Sequence, residues 1–372
     1  MKSKIIGAVF GCGCMAFASA WGSTGTASFT MADFASVDKV DIHVHINTTD
    51  TALIDQAAAD HFRLLTINVD YPDFPALAEQ RRVAHALVEA HPERLAYAAA
   101  FSMQGWDEPD WQQHTIQLLD SEFAHGAVAV KVWKNIGMSF RDAKGKLVMI
   151  GDPKFDAVFE FIRQRDKVLI GHLGEPRNCW LPIEQMTVNG DKEYFREHPQ
   201  YYMYQHPEMP TYEEQMAARD RMLDRNPKIK FMGAHMASLE WSVDRLAAFL
   251  DRFPNTVVDL AARMGQVQFQ SNQDREKVRR FFIRYQDRLL YGTDLSQDAG
   301  ADSQEVRREA HATWLRDWAY LATADTFRVP ELDAPVHGLG LPKSVLRKIY
   351  SGNAERWFGN PWHAAKLAQE SK

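Results

Sequence analysis

Cysteine is scarce in this 372-residue chain: there are three, and Cys12 and Cys14 both stand close to the N-terminus. Once a leader holding those two is removed, Cys179 has no partner within the chain. The fold must then be held by a packed core and not by disulfides. An excess of positive charge is also missing. The formal balance is 43 basic against 49 acidic residues, −6, and loss of Lys2 and Lys4 with the leader takes it to −8. Such a balance gives nucleic-acid binding no support. No apolar run approaches the roughly 20 residues of a membrane-spanning helix; Ile5 to Phe17 is short and interrupted by glycine. Internal repeats and low-complexity tracts are absent.

What the N-terminus does have is an export pattern. Lys2 and Lys4 precede the apolar stretch, and Ala18-Ser19-Ala20 has the small-x-small form of a cleavage site. Residues 1–20 are therefore expected to be a signal peptide, with a mature periplasmic or secreted protein starting near Trp21. The alternative is a lipoprotein leader, with Val9-Phe10-Gly11-Cys12 as the lipidation box and a lipid anchor on Cys12, a pattern that Phe10 fits poorly. Residues 21–372 are long enough for one large α/β barrel.

Eight apolar or β-branched runs read as strands: Val40 to His45, Leu64 to Val69, Leu95 to Phe101, Ala127 to Trp133, Val168 to Leu173, Ile229 to Met236, Thr256 to Ala261 and Leu289 to Asp294. Helix-like stretches lie between them: Phe74 to His91, Trp111 to His125, Phe155 to Arg165, Tyr212 to Arg225, Leu239 to Phe253 and Asp274 to Tyr285. Alternation of this kind predicts parallel crossovers, and eight of them predict a closed (β/α)8 TIM barrel in a single domain. Two segments break the alternation. Residues 174–211, after the fifth strand, are rich in aromatic side chains and are expected to be a lid over the barrel mouth. Residues 299–340, after the eighth, carry Trp314 and Trp318 on a helix-like segment.

His43-Val44-His45 ends the first strand. Residues two apart on a strand face the same way, so both imidazoles can reach one cation. His172, His235 and Asp294 close three further strands, at the end where such barrels hold their active sites. At this point the chain resembles the metal-dependent amidohydrolase superfamily, in its amidohydrolase-related branch (amidohydrolase family 2). The resemblance rests on Asp41-Ile42-His43-Val44-His45, Gly171-His172, Gly233-Ala234-His235, Gly292-Thr293-Asp294 and the terminal run from Leu346 to Gly359.

The resemblance implies one divalent cation, with zinc the first choice and manganese or iron the alternatives, held by His43, His45, His172 and Asp294. Asp294 would also take a proton from the attacking water. His235 would polarise the substrate or steady developing negative charge, or serve as a fourth ligand. Lys131 is to be weighed as the carbamylated bridge of two-metal relatives and as a substrate-binding lysine; it and Lys134 differ in strand parity, so only one is expected to face the barrel axis unless the strand is bulged. In the lid, Arg177 and Trp180 are candidates to grip an aromatic or carboxylated small molecule, whereas Cys179 has no thiol-activating partner. The function expected is hydrolysis of an amide, ester or lactone bond. The alternatives are non-oxidative decarboxylation of an aromatic or unsaturated acid and, less favoured, a non-catalytic binding protein. A small molecule is the expected partner, and self-association into a homo-oligomer stays open.

Overall fold

The computed structural model describes residues 28–363, so the expected leader and Cys12 lie outside the described residues. The parallel strands are β1 (Lys39–Ile46), β2 (Phe62–Ile67), β3 (Leu95–Ala100), β4 (Ala129–Val132), β5 (Val168–Gly171), β6 (Lys230–Gly233), β7 (Thr256–Asp259), β8 (Leu289–Leu290) and β9 (Leu295–Gln297). They pair in the order β8-β7-β6-β5-β4-β3-β2-β1-β9. The expected eighth strand is broken in two: β8 pairs with β7 and β9 pairs with β1. Between them the Ile42 N–H donates to the Tyr291 carbonyl at 3.1 Å and the Asp294 N–H to the His43 carbonyl at 2.8 Å. These bonds close the sheet into a TIM barrel. The break has a local cause, since Asp294 takes φ 73° and cannot continue a strand.

Side-chain parity explains what fills the barrel. Leu65 and Ile67, Ala96 and Ala98, Val168 and Ile170 join Ala129, Met232, Val257 and Leu290 in one interior cluster, which Ala354, Phe358 and Trp362 plug from below. Val40 and Ile42 of β1 belong to that interior, yet Val44 and Ile46 of the same strand belong to the outer layer under the helices. A register shift between Asp41 and Val44 reverses the parity. The bulge lets apolar residues fill the floor while His43 and His45 turn inward at the mouth. The unbroken alternation expected from the sequence would have sent one of these two sets outward.

The six expected helices are found as Leu77–Ala90, Trp111–Ala124, Asp156–Gln164, Tyr212–Arg225, Val243–Arg252 and Arg275–Arg284. Ala52–Ala59 and Met264–Gln273 are additional. Ser303–Ala322 is one 20-residue helix whose Trp314 and Trp318 are fully buried. The terminal run is not one regular helix: Lys343–Arg347 and Asn353–Phe358 are joined by a π turn, Lys348–Gly352. Among the described residues no helix is long and apolar enough to cross a membrane.

The insertion folds as short 3-10 turns around one helix, Asn189–Glu197. It has its own core of Cys179, Met186, Phe195, Tyr202 and Met203 with Met138. The Cys179 thiol is buried, donates to the Tyr201 carbonyl at 3.0 Å and is held far above its usual pKa by burial, so it is packing and not a nucleophile.

Candidate metal centre and active site

At the carboxyl ends of β1 and of the β8–β9 break, one oxygen of Asp294 lies 3.2 Å from His43 Nε2 and 3.1 Å from His45 Nε2. Donors bonded at about 2.0–2.1 Å in a tetrahedron stand roughly 3.3 Å apart, so each imidazole nitrogen stands at ligand spacing from Asp294, and the ligand atoms of the three residues all lie within 4.8 Å of one another. Each imidazole is fixed from behind. His43 Nδ1 donates to Asp259 Oδ2 at 2.8 Å and His45 Nδ1 to the Ile67 carbonyl at 2.8 Å. Because a carbonyl or carboxylate can only accept, both rings present an Nε2 lone pair to the cavity.

The charge states suit metal binding. Burial first, with Lys131 next for His43 and the neighbouring His235 for His172, drives His43 and His172 well below the usual imidazole pKa, and burial does the same to His235. They stay neutral. Burial would raise Asp294, but the facing His235, His43 and His45 outweigh it and hold the carboxyl well below its usual range. Lys131, buried inside β4, is pushed down to about 8 by burial, and its Nζ approaches His43 Nε2 to 3.2 Å. Lys134 reaches the same cavity and pairs with the buried Glu175. Both lysines face inward because Lys134 follows the end of β4 and escapes the strand's parity, contrary to expectation.

His235 departs from its expected strand. β6 ends at Gly233, and His235 to Ser238 form a run of four left-handed residues, φ 56°, 57°, 56° and 55°. Non-glycine residues resist this conformation by about 1–2 kcal/mol each, so the turn must be held by its surroundings. Asp259 Oδ1 accepts the His235 N–H at 2.6 Å, the Ser238 hydroxyl donates to the carbonyls of Leu173 and Gly174, and Arg219 donates to the Ala237 carbonyl. Gly233 is required because a Cβ there would lie 2.5 Å from the Ala237 Cβ. The His235 ring donates from Nδ1 to the Ala261 carbonyl at 2.9 Å, which leaves Nε2 as an acceptor, 3.2 Å from His172 Nδ1. A neutral His235 therefore offers a lone pair, and it can donate to an oxyanion only after taking up a proton. His172 stands beside His235 and outside the tight trio; its buried Nε2 has no partner.

The cavity above these groups encloses about 340 Å³ and is walled by Tyr71, Phe74, Trp133, Tyr194 and Phe195. Arg177 and Trp180 are not among its lining residues. The Arg177 guanidinium stacks on Trp241 at 4.4 Å, and Trp180 Nε1 donates to the Pro210 carbonyl at 3.1 Å. Three residues that the sequence reading passed over are in place instead: Asp259, Glu175 and Arg263. Asp259 carried the signal used for the other ligands, a polar residue closing the apolar run Thr256-Val257-Val258. Arg263 and Glu175, both in loops, carried none.

The amidohydrolase family model matches residues 27–359. The chain belongs to the amidohydrolase family. Members of this family are enzymes that typically use a divalent metal, and the trio of His43, His45 and Asp294 fits one. No curated protein matches the chain. Among solved structures, a TIM-barrel protein of uncharacterised function from Bordetella bronchiseptica shares 12% identity over 87% of this chain and 99% of its own, with a TM-score of 0.50. The 2,6-dihydroxybenzoate decarboxylase from Rhizobium shares 16% identity over 87% and 98%, TM-score 0.50. The 4-oxalomesaconate hydratase from Rhodopseudomonas palustris shares 13% over 89% and 99%, TM-score 0.46. At such identities the first two likenesses establish the barrel alone.

Proposed function

We propose that this amidohydrolase-family chain is a metal-dependent hydrolase that opens an amide, ester or lactone bond in a small carboxylated molecule. The observation that supports it is the pair of lone-pair-bearing nitrogens, His43 Nε2 and His45 Nε2, both about 3 Å from one oxygen of an ionised Asp294. A divalent cation bound there, zinc first among the candidates, supplies Lewis acidity toward a carbonyl oxygen and a water molecule. Asp294, whose side chain keeps 31% of its exposure toward the cavity, accepts the proton as water attacks and returns it to the leaving group. His235, neutral, presents its Nε2 lone pair to the cavity and orients the attacking water by accepting a hydrogen bond from it. The aromatic walls exclude water from the rest of the cavity, and Lys131 and Lys134 supply positive charge for an acidic substrate.

Those same walls and lysines favour a second reading, decarboxylation of an aromatic or unsaturated acid, with Asp294 relaying a proton from water to the carbon that loses carbon dioxide. Incubating metal-loaded enzyme with carboxylated esters, lactones, amides and aromatic acids in ¹⁸O-water separates the two. Label in the carboxylate of the organic product supports hydrolysis; release of carbon dioxide with no label in the organic product supports decarboxylation. Turnover that survives full removal of the metal sinks both.

A further inference from the structure

Two cavities open at the barrel mouth and meet at Arg263. The one over the metal centre and a larger one of about 600 Å³, lined by Gln266, Thr313, Arg316 and Glu331, share Asp191, Ala262, Arg263, Asp294 and Ser296 as a common border. Arg263 is only 8% exposed. Its Nη1 donates to the Ala262 carbonyl at 2.8 Å, its Nε is buried with no partner, and among the described residues no carboxylate lies within ion-pair distance of it. The two acids that feel its charge are engaged elsewhere. Asp191 accepts from Asn178 and Gln266, and one oxygen of Glu240 accepts from the Arg177 backbone N–H, although the other has no partner. A buried guanidinium left open is costly to the fold unless something arrives to pair with it.

We propose that Arg263 is the anion anchor of this enzyme: the substrate is a small planar acid whose carboxylate is gripped by the guanidinium where the two cavities join. The planar, five-donor fork of arginine matches a carboxylate in a way that neither pocket lysine does. Tyr71, Phe74, Trp133 and Tyr194 flank the cavity on the metal side and suit an unsaturated body. The proposal rests on the preceding reading only for which end of the molecule reacts.

Its test is a binding measurement, so a failure of the hydrolase reading leaves it standing. Benzoate and its neutral analogue benzamide are titrated calorimetrically into the metal-stripped full chain, which removes the cation as a competing carboxylate site. The wild type is expected to prefer benzoate, and Arg263→Gln to lose benzoate affinity by roughly tenfold or more with benzamide unchanged. If Arg263→Gln does not fold, Arg263→Lys carries the same test, with an expected loss of roughly threefold or more. Glu240→Gln is expected to bind benzoate at least as tightly as the wild type. Equal affinity for the two probes, unchanged benzoate binding in the arginine variants, or loss of binding in Glu240→Gln, which would make Arg263 a structural partner of that acid, overturns the proposal.

Discussion

Asp259 is fully buried and divides its two oxygens between two halves of the site. One holds the His43 ring by Nδ1, and the other holds the backbone N–H groups of His235 and Ala261. Outer partners of this kind fix a ligand's tautomer and orientation. Asp259→Asn is therefore expected to weaken cation binding by roughly 10–100-fold, measured by titration calorimetry; wild-type affinity would show that the His43 ring holds itself. His43→Ala should abolish stoichiometric binding, since it deletes one of two strong nitrogen donors. Asp294→Asn should retain weakened binding but lose roughly 10²–10⁴ in turnover, and full activity at saturating metal would remove Asp294 from the chemistry. At this scale the signal was a polar residue closing an apolar run: His43, His45 and Asp294 carry it and converge, His172 carries it and stands outside that trio, and Asp259 carries it but was passed over. Arg177 and Arg263 could not be told apart, because which arginine faces a cavity depends on loop geometry that local pattern does not encode.

Between residues and the whole, the informative elements are those that break regularity. Alternation of apolar runs located β1 to β8, because buried parallel strands must be apolar, and missed the short β9. It could not show the bulge in β1, the split of β8 from β9, or the left-handed turn after β6, all of which depend on partners far along the chain. Nine non-glycine residues among those described have positive φ, and six of them, His235 to Ser238, Ala262 and Asp294, cluster at the mouth. Backbone strain is thus concentrated where the candidate chemistry is. Ala262, exposed at φ 52°, is expected to gain about 1 kcal/mol on replacement by glycine, read from urea unfolding. Gly233→Ala should cost about 1–3 kcal/mol as an overpacked contact. The insertion is tied down more firmly than its length implies: Asn189 and Gly190 at the start of its helix donate to Glu331, Asn189 to the backbone carbonyl and Gly190 to the carboxylate. Glu331→Ala should speed proteolysis within residues 174–211; an unchanged rate would show that the insertion's own core suffices.

For the molecule as a whole, buried acids away from the metal centre set part of the pH response. Burial pushes the Asp317 carboxyl from 3.8 up to about 6, only partly offset by Arg316 and the Tyr291 hydroxyl. Between those values the folded state holds a proton that the unfolded state has lost, so this group's contribution to stability falls as pH rises from about 4 to 6 and stays low above. Asp317→Asn should remove that loss, gaining on the wild type by roughly 1–3 kcal/mol between pH 4 and pH 7. Parallel stability curves for the two proteins would contradict it. The break between β8 and β9 matters on this scale too. His45 and Asp294 are 249 positions apart, and they come within reach only when the last strand docks on the first. The site is thus the clasp of the ring, and a growing chain cannot bind its cation until nearly all of the barrel has been made. A bound ion should in turn slow amide exchange in Val44–Ile46 and Leu295–Gln297 more than in β4 or β5, because opening there means letting go of the metal.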